Sequence, residues 1–219
     1  GGGVCQVSST IYMCTLLANL EQVERTEHMF AVTYVPMGMD ATVSWGGPDY
    51  KFTNNTDYPI KVVTTYANST LTVKILGTNI DGTYAKVTNE YLSTTPYEVV
   101  YEDDPTLAPG TEKVKTTPYT GYKYKTYRHV YAADGTLISS AYEATSDYKV
   151  RNKVISRGPA LPETPASGGA EITEPQDPVA GTTVPDTPDA PAAQEPQTPS
   201  EPQQGDGSTI IVVTPEEPQ

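Results

Sequence analysis

The chain has 219 residues, a formal charge of -13 at neutral pH and an isoelectric point of about 4.4. All 14 Lys and Arg lie in residues 1–158 beside 16 Asp and Glu, whereas residues 159–219 hold 11 acidic residues, 13 of the 20 prolines and none of the 16 tyrosines. This balance argues against a nucleic-acid partner, no stretch reaches the roughly 20 apolar residues of a membrane-spanning helix, and residues 159–219 lack the apolar surface that offsets chain entropy, so they are predicted to be disordered.

The chain enters abruptly at "GGGVCQVSST" with no secretory signal in view, so an N-terminal portion carrying a signal or anchor is expected upstream. Any membrane contact is expected through that anchor alone. A helix is predicted from Cys5 or just after it, with Ser8 and Ser9 as N-cap residues and Val7, Ile11, Cys14 and Leu17 or Ala18 along one face. On such a helix Cys5 and Cys14 stand about 13 Å apart, beyond the ~7 Å that a disulfide spans. Cys14 is therefore predicted to be core, and Cys5 free. A thiol at a glycine-flanked helix start is accessible, and the positive end of the helix favours its thiolate.

Downstream, Phe30, Val32 and Tyr34 alternate as in a strand, with His28 where helix gives way to strand, and "PMGMD" and "WGGPD" bracket a second short strand, "ATVSW". "YPIKVVTTYANSTLTVKILGT" reads as two strands joined at "ANS". Residues 1–78 are thus predicted to be an α+β module, one helix on an antiparallel sheet, and 79–95 a connector. Residues 96–158, rich in Tyr, Thr and Val with a hairpin signal at "ADGT", are predicted to form an elongated all-β module. The remainder, 159–219, is Pro-, Thr- and Glu-rich spacer. "STIIVV" within it is suited either to pairing with a sheet edge or to remaining a solvated apolar patch, and the second is preferred.

Acyl transfer requires a nucleophile, a base within hydrogen-bond reach and donors for the oxyanion. Cys5 is the candidate nucleophile, His28 the candidate base, and the backbone amides of the glycine-rich helix start the candidate donors. Either Asp40 or a backbone carbonyl holds the imidazole tautomer, and the sequence leaves both open. Each residue also has a plainer reading: a small core thiol, a histidine packed on Phe30, an aspartate in a turn. His129 is read as an exposed strand residue. Two cysteines and two histidines match no zinc spacing, so no metal and no cofactor are expected. In "YTGYKYKTYRHVY" tyrosines alternate with basic residues, which makes Tyr122, Tyr124 and Lys125 candidates for stacking on sugars and meeting phosphates.

The stretches "GGGVCQVSSTIY", "VERTEHMF" and "TYVPMGMDATVSWGGPDYKFTNNTDYPI" closely resemble the VanW-like family of bacterial cell-envelope proteins, over what looks like the C-terminal half of that domain. Residues 96–158, punctuated by Gly110, Gly121, Gly135 and Gly158, resemble the G-five domain of wall-associated proteins. The first resemblance implies work on peptidoglycan beside glycopeptide-resistance systems, and some members are assigned L,D-transpeptidase activity through a cysteine acyl-enzyme. It places the family's cysteine on Cys5 and its histidine on His28. The expected protein is an extracellular, wall-bound or membrane-anchored one on a bacterial surface, acting on stem peptides while its β module holds wall glycan. A non-catalytic wall-binding or adhesion protein is the alternative.

Overall fold

Gly3 sets where the first helix begins. Its φ of 87° lies in the left-handed region, and its carbonyl accepts the Gln6 and Val7 amides at 3.0 and 3.3 Å. The computed structural model, which describes residues 2–161 and 208–213, accordingly starts α1 at Val4 and ends it at Leu17. Ser8 and Ser9, expected at the N-cap, lie inside this helix and are buried, because glycine has already made the turn that a capping side chain would have supported. Ten strands follow α1 up to residue 157: β1 Glu21–Glu24, β2 Lys51–Thr53, β3 Lys61–Ala67, β4 Thr70–Thr78, β5 Tyr84–Thr95, β6 Val99–Asp103, β7 Glu112–Thr116, β8 Gly121–Tyr131, β9 Leu137–Tyr148 and β10 Lys153–Arg157. An eleventh, β11, is Ser208–Val213.

The first part is one helix with antiparallel sheets, β1-β2 and β11-β4-β3. Asn68 and Ser69, at φ 51° and 60°, turn β3 into β4 at the predicted place. The second part is all-β, as expected. It comprises β5-β8-β9, antiparallel throughout, and β6-β10-β7, in which β10 runs parallel to β6 and antiparallel to β7. Gly135, with φ 87°, closes the β8–β9 hairpin at "ADGT".

Three expectations are corrected. The segment read as connector contains β5, a twelve-residue strand; Ala85 is buried in it and Val87 packs against the helix. "STIIVV" takes the edge reading rather than the apolar patch, pairing with β4 from Ser208 opposite Thr78 to Val213 opposite Val73, since its β-branched run offers a full ladder of backbone partners. Otherwise the tail predicted to be disordered lies outside the described residues from 162 onward. Finally, the strands expected around Phe30–Tyr34 and in "ATVSW" do not form. Residues 25–50 are turns and irregular chain, because the backbone groups of Gly38, Asp40 and Ala41 bond to side chains of Arg25, Thr126, Tyr148, Ser8 and Ser9 instead of to a neighbouring strand.

The helix has two apolar contacts rather than one stripe. Cys14, with Ile11 and Leu17, packs on Leu20, Val73 and Ile75. Tyr12 and Leu16 pack on Ala41, Tyr50 and Val87. Its buried hydroxyls are satisfied: Ser8 donates to Ala41 O at 2.6 Å, Ser9 accepts the Ala41 amide at 3.0 Å, and Thr10 donates to Gln6 O at 2.7 Å. Helix α1 thus clamps the loop through Ala41 while its other side closes on β4.

Leu16→Ala should lower the unfolding free energy by about 2–5 kcal/mol, since Leu16 is wholly buried. Val99→Ala, at a strand position that is 46 % exposed, should stay within about 0.5 kcal/mol. Urea unfolding of both variants measures the contrast.

Candidate functional site

Cys5 occupies the second position of α1, with its thiol partly exposed. Its Sγ lies 3.6 Å from Thr42 Oγ1 and donates to Val43 O at 3.4 Å. Those neighbours are where they are because Ser8 and Ser9, one turn along the helix, grip Ala41. The same grip fixes Asp40. Its carboxylate is completely buried, with Oδ2 accepting the His28 amide at 2.7 Å and facing His28 Nδ1 at 2.6 Å. Oδ1 accepts Arg25 Nη2 at 3.0 Å and the Tyr148 hydroxyl.

The question of what holds the imidazole is therefore answered by geometry: Asp40, not a backbone carbonyl, lies against Nδ1. With Nδ1 taken, Nε2 is the nitrogen left for the other side of the ring. It lies 3.3 Å from the Tyr34 hydroxyl, and the ring is near enough to Cys5 for each group to shift the other's acidity. The structure thus sets Asp40 in direct contact with His28, and Cys5 within reach of the His28 charge. The Val4 and Cys5 amides, which precede the first bonds that Gly3 O accepts from Gln6 and Val7, lie at the Cys5 end of this arrangement.

The charges reinforce one another. Burial alone would push Asp40 up, but hydrogen bonding from His28, the Arg25 charge and the Tyr148 hydroxyl outweigh it and hold the carboxyl below its ordinary range. Burial would lower His28, but the bonds to Asp40 and Cys5 and the charges of both raise it. Cys5 is lowered, because hydrogen bonding at the Val43 backbone, Thr42 and His28, with the His28 charge, exceeds the opposing effect of burial. Raised histidine and lowered cysteine together favour a thiolate–imidazolium pair. Cys14 shows the opposite behaviour, its thiol pushed up to about 12 by burial.

The other sequence candidates lie on β8. Tyr122, Tyr124 and Lys125 sit half-buried in the middle strand of β5-β8-β9. Tyr124 meets Tyr91 edge-on with ring centroids 5.6 Å apart, and its Cβ lies close to Gly38. Strand alternation puts Lys125 on the face opposite Tyr122 and Tyr124. More exposed rings in the same region are Tyr91, Tyr101 and Tyr142. His129, expected to be exposed, is a half-buried strand residue whose two ring nitrogens meet Thr88 and Ser140 at 2.8 and 2.9 Å.

Sequence reasoning missed Arg25, Tyr34 and Tyr148. Arg25 carried a usable cue, as a cation three residues before the histidine. Tyr148 carried none, being separated from Asp40 by 108 positions.

Comparison with known proteins follows this anatomy. Residues 1–76 match the family described as VanW like protein, and residues 86–160 match the G5 domain. Over 62 residues the chain is 53 % identical to the uncharacterized protein YoaR of Bacillus subtilis (strain 168), a match covering 28 % of this chain and 20 % of YoaR. The match thus spans about a fifth of that relative's length. Among solved structures, the G5 domain of IgA1 protease is 18 % identical, covering 37 % of this chain and 98 % of that one with a TM-score of 0.26. The crystal structure of HP0197-G5 is likewise 18 % identical, covering 35 % and 95 % with a TM-score of 0.20. The chain carries a VanW-like segment at residues 1–76, which holds Cys5, His28 and Asp40, followed by a G5 domain at residues 86–160, which supplies Tyr148.

Proposed function

We propose that this protein is a bacterial cell-envelope enzyme that uses Cys5 for acyl transfer on peptidoglycan stem peptides, as an L,D-transpeptidase does. The VanW-like and G5 matches point to a cell-wall-associated protein. The observation that carries the catalytic reading is the Asp40–His28 contact at 2.6 Å beside a Cys5 thiol whose thiolate the His28 charge favours. Cys5 Sγ, as thiolate, attacks the carbonyl carbon of a stem-peptide amide, and the Val4 and Cys5 amides at the start of α1 stabilise the oxyanion. Collapse breaks the C–N bond, and the leaving amine takes its proton from His28 Nε2. A second amine then attacks the thioester, gives its proton back to His28, and releases Cys5 as thiolate. Asp40 keeps the other imidazole proton on Nδ1 throughout, so Nε2 is the nitrogen that cycles. Water in place of the second amine turns the same intermediate into a hydrolytic product.

In this reading the G5 region holds wall glycan outside the cell. Tyr122, Tyr124 and Lys125, half-buried, contribute less to that contact than the exposed Tyr91 and Tyr142. The alternative, a wall-binding protein without catalysis, shares this region and differs at Cys5.

Three outcomes are expected. A carbapenem should leave a covalent adduct on the Cys5 peptide by mass spectrometry, and Cys5→Ala should lose both the adduct and cross-linked muropeptides. Cys14→Ala should keep the activity and lower the melting temperature; equal cross-linking by Cys5→Ala and the unaltered protein would select the binding reading.

The alkylation rate of Cys5 against pH should show a midpoint below the ~8.5 of an ordinary thiol. The sign follows from the thiolate's stabilisation in the folded protein: it persists as pH falls below that ordinary value and disappears once pH drops through the lowered midpoint. His28→Gln should raise the midpoint, because it removes the charge that favours the thiolate.

Purified sacculi should retain the protein at low salt and release part of it as salt rises, since exposed charges are screened within about 8–10 Å. Replacing Tyr91 and Tyr142 with Ala should reduce retention more than replacing Tyr122 and Lys125. The reverse order would return the contact to the central strand.

A further inference from the structure

We propose that Tyr148, the last residue of β9, is a positioning residue for the Cys5 site, so that the G5 region forms part of the chemical unit and is more than a tether to the wall. The inference rests on the reading of Cys5 as an activated thiol. It starts from what a buried carboxylate needs. Asp40 must present Oδ2 to His28, and nothing in an isolated side chain prevents rotation about its terminal bond. Two donors to Oδ1 do prevent it, Arg25 from the VanW-like segment and the Tyr148 hydroxyl from the G5 region.

Tyr148 does more than donate. Its oxygen also accepts the Gly38 amide at 2.7 Å, so one buried hydroxyl bridges the carboxylate and the backbone two residues before it. The fit is close on both sides of that glycine. Thr126 of β8 donates to Gly38 O at 3.0 Å, and a Cβ added to Gly38, whose φ is 84°, would come within 2.6 Å of the Thr126 hydroxyl. The sheet is held in register with the loop around the site: Lys149 N donates to Met29 O at 2.7 Å, Asn89 Nδ2 donates to Met37 O at 2.9 Å, and Phe30 stacks on Tyr119 at 4.6 Å. Tyr148 is 2 % exposed, which leaves water no access to substitute for its hydroxyl.

The charged and titratable groups facing Asp40 are His28 and Arg25 from the segment after β1 and Tyr148 from β9. Glu27 lies 3.7 Å from the Arg25 guanidinium, and the Tyr12 ring of α1 lies 5.3 Å from it. Around His28 the remaining groups are Tyr34 and Cys5. Only Tyr148 among all of these comes from beyond residue 76.

The test is the pH midpoint of Cys5 alkylation in the full chain, read by mass spectrometry on the Cys5 peptide with folding checked by near-ultraviolet circular dichroism. Tyr148→Phe keeps the ring and removes the hydroxyl. The midpoint should rise by about one pH unit, a tenfold loss of thiolate at a fixed pH below it. Tyr142→Phe, an exposed tyrosine on the same strand whose hydroxyl bonds Thr145, should leave the midpoint unmoved. In an Asp40→Asn background the further change Tyr148→Phe should add nothing, because the hydroxyl acts through the carboxylate. A Tyr148→Phe midpoint equal to that of the unaltered chain overturns the proposal. So does an equal shift in Tyr142→Phe, or additive shifts in the double variant. Alkylation needs no substrate, so a failure to cross-link counts against the acyl-transfer reading alone, and an unmoved midpoint counts against Tyr148 alone.

Discussion

A fully buried carboxylate organises this protein. Removing an isolated aspartate from water costs several kcal/mol even after relaxation, roughly as much as many domains have to spare. Asp40 survives there because four donors converge on its two oxygens: the His28 amide and ring, Arg25 and Tyr148. These donors come from two segments of chain. The loop after β1 must fold back to bring Arg25 and His28, and β9 must lie across that loop to bring Tyr148. The irregular path of residues 25–50 follows from this demand, since its backbone groups are used one at a time by side chains rather than in a ladder.

Helix α1 is adapted to the same purpose. A conventional amphipathic helix would bury one apolar stripe and show its polar residues to water. Here Ser8, Ser9, Thr10 and Thr15 are buried along with Tyr12, Cys14 and Leu16. Ser8 and Ser9 are hydrogen-bonded to Ala41, so the helix holds by direct bonds the residue beside Asp40. Cys5, three residues before Ser8, is thereby set against Thr42 and Val43. The nucleophile candidate and the core thiol Cys14 sit on the same helix with opposite displacements of acidity, because one is held by hydrogen bonds at the helix start and the other is buried.

The division into two regions is clear in the family matches and much less clear in the hydrogen bonds. Arg128, at β8, pairs with Glu143 at 2.6 Å and donates to Leu20 O at 2.7 Å just past the end of α1. Arg151 lies over both Phe30 and Tyr119, one ring from each region. Arg128 and Tyr148 thus tie the sheet β5-β8-β9 to the first part of the chain.

Much of the local order was legible in the sequence, because short-range physics writes it there: a helix after the glycines, turns at "ANS" and "ADGT", a buried Cys14 and an all-β second region all follow from spacing and turn chemistry. Cys5, His28 and Asp40 were nameable as residue types suited to acyl transfer. What residue type and spacing leave open is the partner of each group. Whether His28 leans on Asp40 or on a carbonyl, whether Phe30 belongs to a strand, and whether Tyr148 faces solvent or a carboxylate depend on which distant segments meet. Alternation cannot report such meetings, because a hydrophobic period describes one segment's own faces and carries nothing about the surface it will touch. Twelve residues that read as connector became β5 for that reason, its Val87 having a place only once Tyr12, Leu16 and Ala41 are assembled. The sequence by itself determined which side chains were available for the chemistry and which turns the chain would make. Only the tertiary structure decided that the carboxylate is buried, that a tyrosine 108 positions away holds it, and that residues of the two matched regions meet there, because burial and long-range hydrogen bonds exist only between surfaces already brought together.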